Sequence, residues 1–415
     1  MRIAYLVSLF PKLSETFILR ELLALADRGH ELTILSLKSE REPVVHEQAR
    51  PLLGSAIYPR YGRPMAAAAL HFAWRRPGAL AGVVMRIAAA HRSHPRLLFT
   101  SLALIPIALL FARRLRGERV EHLHAHWATH PATTAWIIHR MTGIPYSVTG
   151  HAHDLFLPNP MLPLKLRESS FFATISEFNR AILIQRCGPA ALEKLRLVRC
   201  GLPIGEFPLR PAAARGPGDG EVTVLSVGRM VDYKGFDVLL RACSWLRAEG
   251  RAVRCVLAGD GPERSALREL ASKLQVPAEF PGPLAQDGVA ALMRQADLFV
   301  LACVRGRDGQ QDGIPIVLME AMAAGVPVVS TKLSGIPELV IDRRTGLLAA
   351  PGDDEHLARA MGRLLDDPPL AASLAAAARA HVEKEFDLAV SASALEREFE
   401  RSARRPPGRR AEATA

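Results

Sequence analysis

The stretch Asp312-Gly-Ile-Pro-Ile-Val-Leu-Met-Glu320-Ala-Met322 decides how the rest of the chain is read. It follows an apolar, strand-like run at 298–302 and a polar loop at 303–311. A helix is predicted to begin just past Pro315, because proline is tolerated in a first turn, where its missing N–H costs nothing. Asp312 then lies in the loop, and Glu320 a turn or more inside, flanked by Val317, Leu318 and Met322. Two carboxylates near one helix start stand beside backbone N–H groups that favour negative ligands. Carboxylates accept hydrogen bonds from hydroxyls, so the pair suits a ligand carrying both hydroxyls and phosphate, such as a nucleotide sugar. A charge offsetting the helix dipole, with an exposed Glu behind it, would look the same.

Outward from this stretch, strand and helix alternate. Strands are predicted at 222–228, 253–259, 298–302 and 326–330, with a short edge strand at 345–349. Helices are predicted at 236–249, 262–274, 288–296, 353–365 and 369–385. Toward the N-terminus, strands fall at 2–10, 31–37, 120–127, 146–150, 171–175 and 195–200, a six-strand pattern. The first helix spans 15–28, with Ser14 as N-cap and Ile18, Leu22 and Leu25 as its apolar stripe. Such βα alternation predicts an α/β chain of two doubly wound, Rossmann-like domains facing a cleft. A first domain at 1–205 is followed by a Pro/Gly/Ala-rich linker at 206–220 and a second domain at 221–385. A last helix at 386–403, of the kind that in similar proteins crosses back to the first domain, precedes a disordered tail at 404–415.

Composition narrows the function. The 415 residues are 49% hydrophobic and 23% charged, ordinary for globular domains. Five scattered cysteines without a C-x-x-C pair fit a reducing cytosol. No glycine precedes Gly29, so the first strand lacks a G-x-G-x-x-G fingerprint and NAD is not expected. The net charge of +11 is concentrated at 60–119, where eleven arginines meet one acid, Glu118. Apolar residues interleave with them, including Phe72, Trp74, Met85 and Phe99. That alternation predicts helices lying on an anionic membrane surface. The apolar run at 97–112 falls short of the ~20 residues a span needs and holds Pro106. No nucleic-acid motif accompanies the basic stripe.

Three further motifs carry chemistry. Gly228-Arg229 and Lys234-Gly235 flank a strand-to-helix turn, where an arginine fork and a lysine point charge can reach one diphosphate. Gly259-Asp260-Gly261-Pro262 has Arg264 where a third fingerprint glycine belongs, and reads as a tight turn. Two H-x-H pairs, His124/His126 and His151/His153, precede Asp154; residues i and i+2 share a strand face, so one pair could chelate a metal.

The segment 312–327, DGIPIVLMEAMAAGVP, resembles the E-x7-E signature of the retaining family 4 glycosyltransferases, usually EGxPxxxxEAMAxGxP. The likeness runs over most of the chain and is of the bacterial exopolysaccharide and colanic-acid type. It implies the two-domain GT-B fold and sugar transfer from a nucleoside-diphosphate sugar to a lipid-linked or glycan acceptor. It also implies catalysis without metal or other cofactor, and there is no D-x-D motif; the cysteine usage and the Arg-rich segment place the enzyme in the cytoplasm at the inner membrane face. By resemblance, Glu320 holds the ribose hydroxyls, while Asp312 with Gly313, Ile314 and Pro315 meets the transferred sugar. Arg229 and Lys234, with Gly228, Gly259 and Gly261 around them, grip the diphosphate. VTGHAHD, 148–154, is similar to the segment whose histidine contacts the sugar, here His151; His126 and His153 fall to the acceptor side. Ser14 completes the phosphate pocket. Asp312 replaces the usual Glu. A nucleotide-sugar 2-epimerase or a non-catalytic membrane-docked scaffold are the alternatives.

Overall fold

The computed structural model describes residues 1–12, 15–38, 47–209 and 220–404. Its described residues form two compact units. One comprises 1–175, 180–198 and the chain from Ser391 onward; the other comprises 176–179 and 199–390. The division thus falls seven residues before 205. Most of the expected linker and nearly all of the expected tail lie outside the described residues, as does Ser14.

The first unit opens with β1 (Arg2–Val7), α1 (Thr16–Asp27), β2 (Glu31–Ser36) and β3 (Ala56–Ile57). Three helices follow, α2 (Arg63–Arg75), α3 (Pro77–Ala90) and α4 (Pro95–Leu115). Then come β4 (His122–His126), α5 (His130–Thr142), β5 (Tyr146–Gly150), α6 (His153–Phe156) and α7 (Leu162–Glu168). β6 (Phe172–Thr174), α8 (Glu177–Cys187) and β7 (Leu195–Leu197) complete the series. The sheet has seven strands in the order β3-β2-β1-β4-β5-β6-β7, one more than the sequence predicts. The extra strand, β3, is two residues long, too short for any periodicity to announce.

The Arg-rich segment is helical, but its longest helix differs from expectation. α4 runs 21 residues with Pro106 inside it, and is long and apolar enough to cross a membrane by length and composition. Leu104, Ala108, Phe111 and Ala112 on one side of it are buried in the same apolar core as Trp136 and Ile137 of α5. That packing holds the helix together across a proline that removes one backbone donor.

The second unit contains β8 (Val222–Val227), α9 (Phe236–Ala248), β9 (Val253–Ala258), α10 (Arg264–Lys273) and β10 (Ala278–Gly282). It continues with α11 (Gln286–Gln295), β11 (Leu298–Leu301), α12 (Ile316–Ala323), β12 (Val328–Thr331), α13 (Ile336–Leu339) and β13 (Leu347–Ala349). α14 (Asp354–Asp366) and α15 (Pro368–Glu385) complete it, and α16 (Leu388–Arg404), which belongs to the first unit from Ser391 on, closes the described chain. The six strands run in the order β10-β9-β8-β11-β12-β13. Every pairing in both sheets is parallel. Both are doubly wound: strand order reverses beside β1 and β4 in one unit, and beside β8 and β11 in the other. In open parallel sheets, ligands settle outside the carboxyl ends of the strands at that reversal.

Candidate functional site

In the second unit, the chain leaving β8 carries Gly228, Arg229, Lys234 and Gly235, while the loop leaving β11 carries Cys303 to Asp312. The two meet in an ion pair, Lys234 Nζ to Asp312 Oδ2 at 2.5 Å, with both side chains largely buried. Burial alone would lower the Lys234 pKa; the Asp312 carboxylate outweighs it and raises the value, so the cation persists at neutral pH. The Cys303 thiol lies 3.6 Å from the same Asp312 oxygen, and burial pushes its pKa well up, keeping it protonated. Arg229 is exposed and forms no ion pair among the described residues.

Backbone contacts fix this geometry. The Asp232 carboxylate accepts the N–H groups of Tyr233 (2.8 Å) and Arg307 (2.9 Å), and the Tyr233 carbonyl accepts that of Val304 (3.0 Å). Gly235 has φ +67°, and a Cβ there would stand 1.8 Å from the Ala302 carbonyl oxygen, so only glycine lets the turn reach β11. At Gly259, φ +130°, a Cβ would lie 2.0 Å from the Gly228 oxygen; the turn holding Gly259 and Gly261 is thus pressed onto the first turn. Buried Gly313, Ile314 and Pro315 lead into α12, where Glu320 is half-buried on the second turn. Every expected donor-binding residue except Ser14 therefore lies in described structure, and all of those lie in the second unit. Lys234 and Asp312, expected to serve diphosphate and sugar separately, share one ion pair.

In the first unit, β4 ends at the reversal with His122, His124 and His126 all on one buried strand face. Tyr5, Phe171 and Phe399 of α16 pack against that face. His126 uses both ring nitrogens: Nδ1 lies 3.0 Å from His151 Nε2, and Nε2 lies 3.0 Å from Glu21 Oε1. Tyr5 donates its hydroxyl to the same Glu21 oxygen at 2.8 Å. An ionised Glu21 accepting both bonds requires Nε2–H on His126. In a neutral His126, Nδ1 then accepts from His151 Nε2–H, and His151 carries its lone pair on Nδ1. Burial holds the His151 pKa well below its usual value, so the ring is neutral at pH 7. Glu21 is the functional candidate that sequence reasoning missed; on α1 it reads as one more surface carboxylate.

Glu21, His124 and His126 bring three ligating atoms within 4.8 Å. Yet His124 spends its nitrogens on Ser147 (2.7 Å) and Thr149 (2.9 Å), and His126 spends its own on His151 and Glu21. Asp154, grouped with the H-x-H pairs in the sequence, accepts the backbone N–H groups of Ala128, His151 and Ala152. Chelation would have to break these bonds, so the cluster fits hydrogen bonding better than a metal. His126, expected on the acceptor side, is fully buried, with its ring nitrogens on His151 and Glu21. His153 is exposed and packs on Trp127 (4.7 Å), which has φ +78°.

The model for glycosyl transferases group 1 matches residues 212–381, the segment holding all of the second-unit geometry above. The putative colanic acid biosynthesis glycosyltransferase WcaL of Salmonella typhimurium is 30% identical, over 86% of this chain and 89% of its own length. The chain belongs to the group 1 glycosyltransferases. Its fold is GT-B, as solved neighbours show. A glycosyltransferase from Rickettsia africae covers 98% of this chain and 99% of its own, with TM-score 0.72 and 16% identity. Anabaena HepE, solved with UDP and glucose, covers 97% of this chain and 100% of its own, with TM-score 0.68 and 18% identity.

Proposed function

We propose that this glycosyltransferase moves a sugar from UDP or GDP to a hydroxyl of a lipid-linked saccharide or polysaccharide precursor, with retention and without a metal. The observation that carries this reading is the Lys234–Asp312 pair beside exposed Arg229, at the reversal of the second sheet. As the bond from the sugar's anomeric carbon to the phosphate oxygen breaks, negative charge builds on the leaving diphosphate. Preorganised cations at that point supply the largest share of such catalysis. Arg229 and Lys234 are those cations, and they do the work a metal would otherwise do. A diphosphate at Lys234 competes with Asp312 and releases its carboxylate for a sugar hydroxyl. Glu320 takes the ribose hydroxyls, and neutral His151 stabilises the reacting face of the sugar. Retention and the division of sugar contacts follow the family resemblance.

Membrane association extends the proposal. Trp74 is 87% exposed and Phe99 75%, among the arginines of α2 to α4. Basic and aromatic residues exposed together favour an anionic surface, in keeping with a cytoplasmic enzyme at the inner face of the membrane. The colanic acid role of the Salmonella relative supports a polysaccharide precursor as acceptor.

Thermal shift with UDP, GDP, ADP and NAD tests the donor site. A nucleotide at a hundred times its dissociation constant adds about 2.7 kcal/mol. Stabilisation by UDP or GDP that is lost in Glu320→Ala is expected; no response, or one indifferent to Glu320, would overturn the reading.

A further inference from the structure

A cavity of about 570 Å³ lies wholly within the first unit, between the starts of α4 and α5 and the segment joining α6 to α7. Its size is that of a small-molecule site. Apolar groups line it: Pro95, Leu97, Leu157, Pro158, Pro160 and Met161. The remaining lining is cationic or neutral, with Arg96, Lys165 and three histidines, and holds no carboxylate. Without an acid to take ribose hydroxyls, the cavity is chemically unlike the Asp312–Glu320 region.

Lys165 gives the cavity its charge. It is 1% exposed, and its ammonium faces four acceptors, Ala128 O (2.6 Å), Asn159 Oδ1 (3.0 Å), Thr133 Oγ1 (3.2 Å) and Thr129 O (3.4 Å). All four acceptors are neutral, and Lys165 makes no ion pair among the described residues. Burial pulls its pKa down to about 7 against the field of Asp154, whose oxygens are taken up by backbone N–H groups. A buried cation without a counter-ion is costly unless an anion compensates it. α4 and α5 both begin at the cavity without a side-chain cap, which adds positive potential.

We propose that this cavity binds the phosphate end of a long-chain lipid alcohol, the phosphate against Lys165 and Arg96 and the first carbons against the prolines, leucines and Met161. Charge complementarity selects the phosphate; the apolar wall, and Phe99 exposed one turn along α4 from Arg96, select the lipid over free phosphate. The assignment rests on the reading of a lipid-borne acceptor and gives that acceptor its place.

The test titrates the full chain with farnesyl phosphate, farnesol and inorganic phosphate by calorimetry, with UDP as a separate titrant. Farnesyl phosphate is expected to bind at least ~10-fold more tightly than either fragment, since a charge-assisted hydrogen bond contributes about 1.5–3 kcal/mol. Thr100→Trp, which fills the cavity from the exposed side of α4, should abolish that binding; Arg96→Ser should weaken it roughly 5-fold, a surface-charge effect. Both variants should keep the wild-type denaturant-unfolding transition, which shows the first unit folded, and wild-type UDP affinity, which shows the same for the second. Farnesol binding as tightly as its phosphate removes the anion site; phosphate alone binding as tightly removes the lipid. No binding, or binding indifferent to Thr100→Trp, overturns the proposal. Failure of UDP with farnesyl phosphate intact would sink the donor reading and leave this one standing.

Discussion

The histidine cluster of the first unit and the cation–carboxylate cluster of the second occupy the same place in two sheets of one topology, yet are built in opposite ways. In the first, the ring nitrogens of His124 and His126 already have partners inside the protein. In the second, Arg229 faces solvent and Lys234 is held by a carboxylate that a stronger anion can replace. A satisfied network fixes orientation, and a partly satisfied one is poised to exchange partners. On the proposed function, the first cluster positions and the second binds.

Breaking the binding side should have the larger effect. Arg229→Ala and Lys234→Met are each expected to lower kcat by about 10²–10³, the usual consequence of removing one transition-state donor. Steady-state rates with saturating donor sugar check this. Glu21→Ala should be milder, losing about 1.5–3 kcal/mol of stability with its two hydrogen bonds to a charged group. Denaturant unfolding gives the stability, and ¹⁵N spectra of the His151 ring give the second readout: its proton should sit on Nε2 in the wild type and redistribute in the variant. A proton on Nδ1 in the wild type would undo the orienting chain.

The same contrast appears in pH dependence. Burial lowers the His122 pKa to about 3, and those of His124 and His151 well below 6.5. The unfolded chain therefore binds more protons than the folded one below pH 6.5. Stability from these groups is full above pH 6.5 and falls as pH drops toward 3, with a slope of about 1.4 kcal/mol per pH unit for each histidine fully engaged. Unfolding free energies between pH 7 and 5 measure that slope, and His122→Asn should reduce it. The smallest effect belongs to the surface: Arg75→Ser with Arg76→Ser should weaken sedimentation with anionic vesicles by about 1 kcal/mol per arginine.

The strands at 222–227 and 298–301 were legible because buried parallel strands are near-continuous apolar runs. β10 was not, since Ala278–Gly282 alternates partly exposed residues and contains Pro281. α4 outruns the apolar stretch at 97–112 because it takes in Pro95 and Arg96 at its start and Arg113 to Leu115 at its end, and burial of Phe111 and its neighbours, visible only in three dimensions, carries it past Pro106. Of the site, glycines and cations spaced around a turn announce themselves. Glu21 and Lys165 do not, because a charged residue on an amphipathic helix looks the same whether it faces water or a buried partner. The pairing of Lys234 with Asp312, 78 positions apart, also had no local signature.

The division between a binding and a positioning cluster is tested most directly by comparing UDP with uridine, by calorimetry, in the wild type, Lys234→Met and His151→Ala. The diphosphate should raise wild-type affinity by roughly 10–100-fold per cation engaged; Lys234→Met should collapse that ratio, and His151→Ala should leave it intact. A ratio unchanged by Lys234→Met, or lost in His151→Ala, would contradict the account.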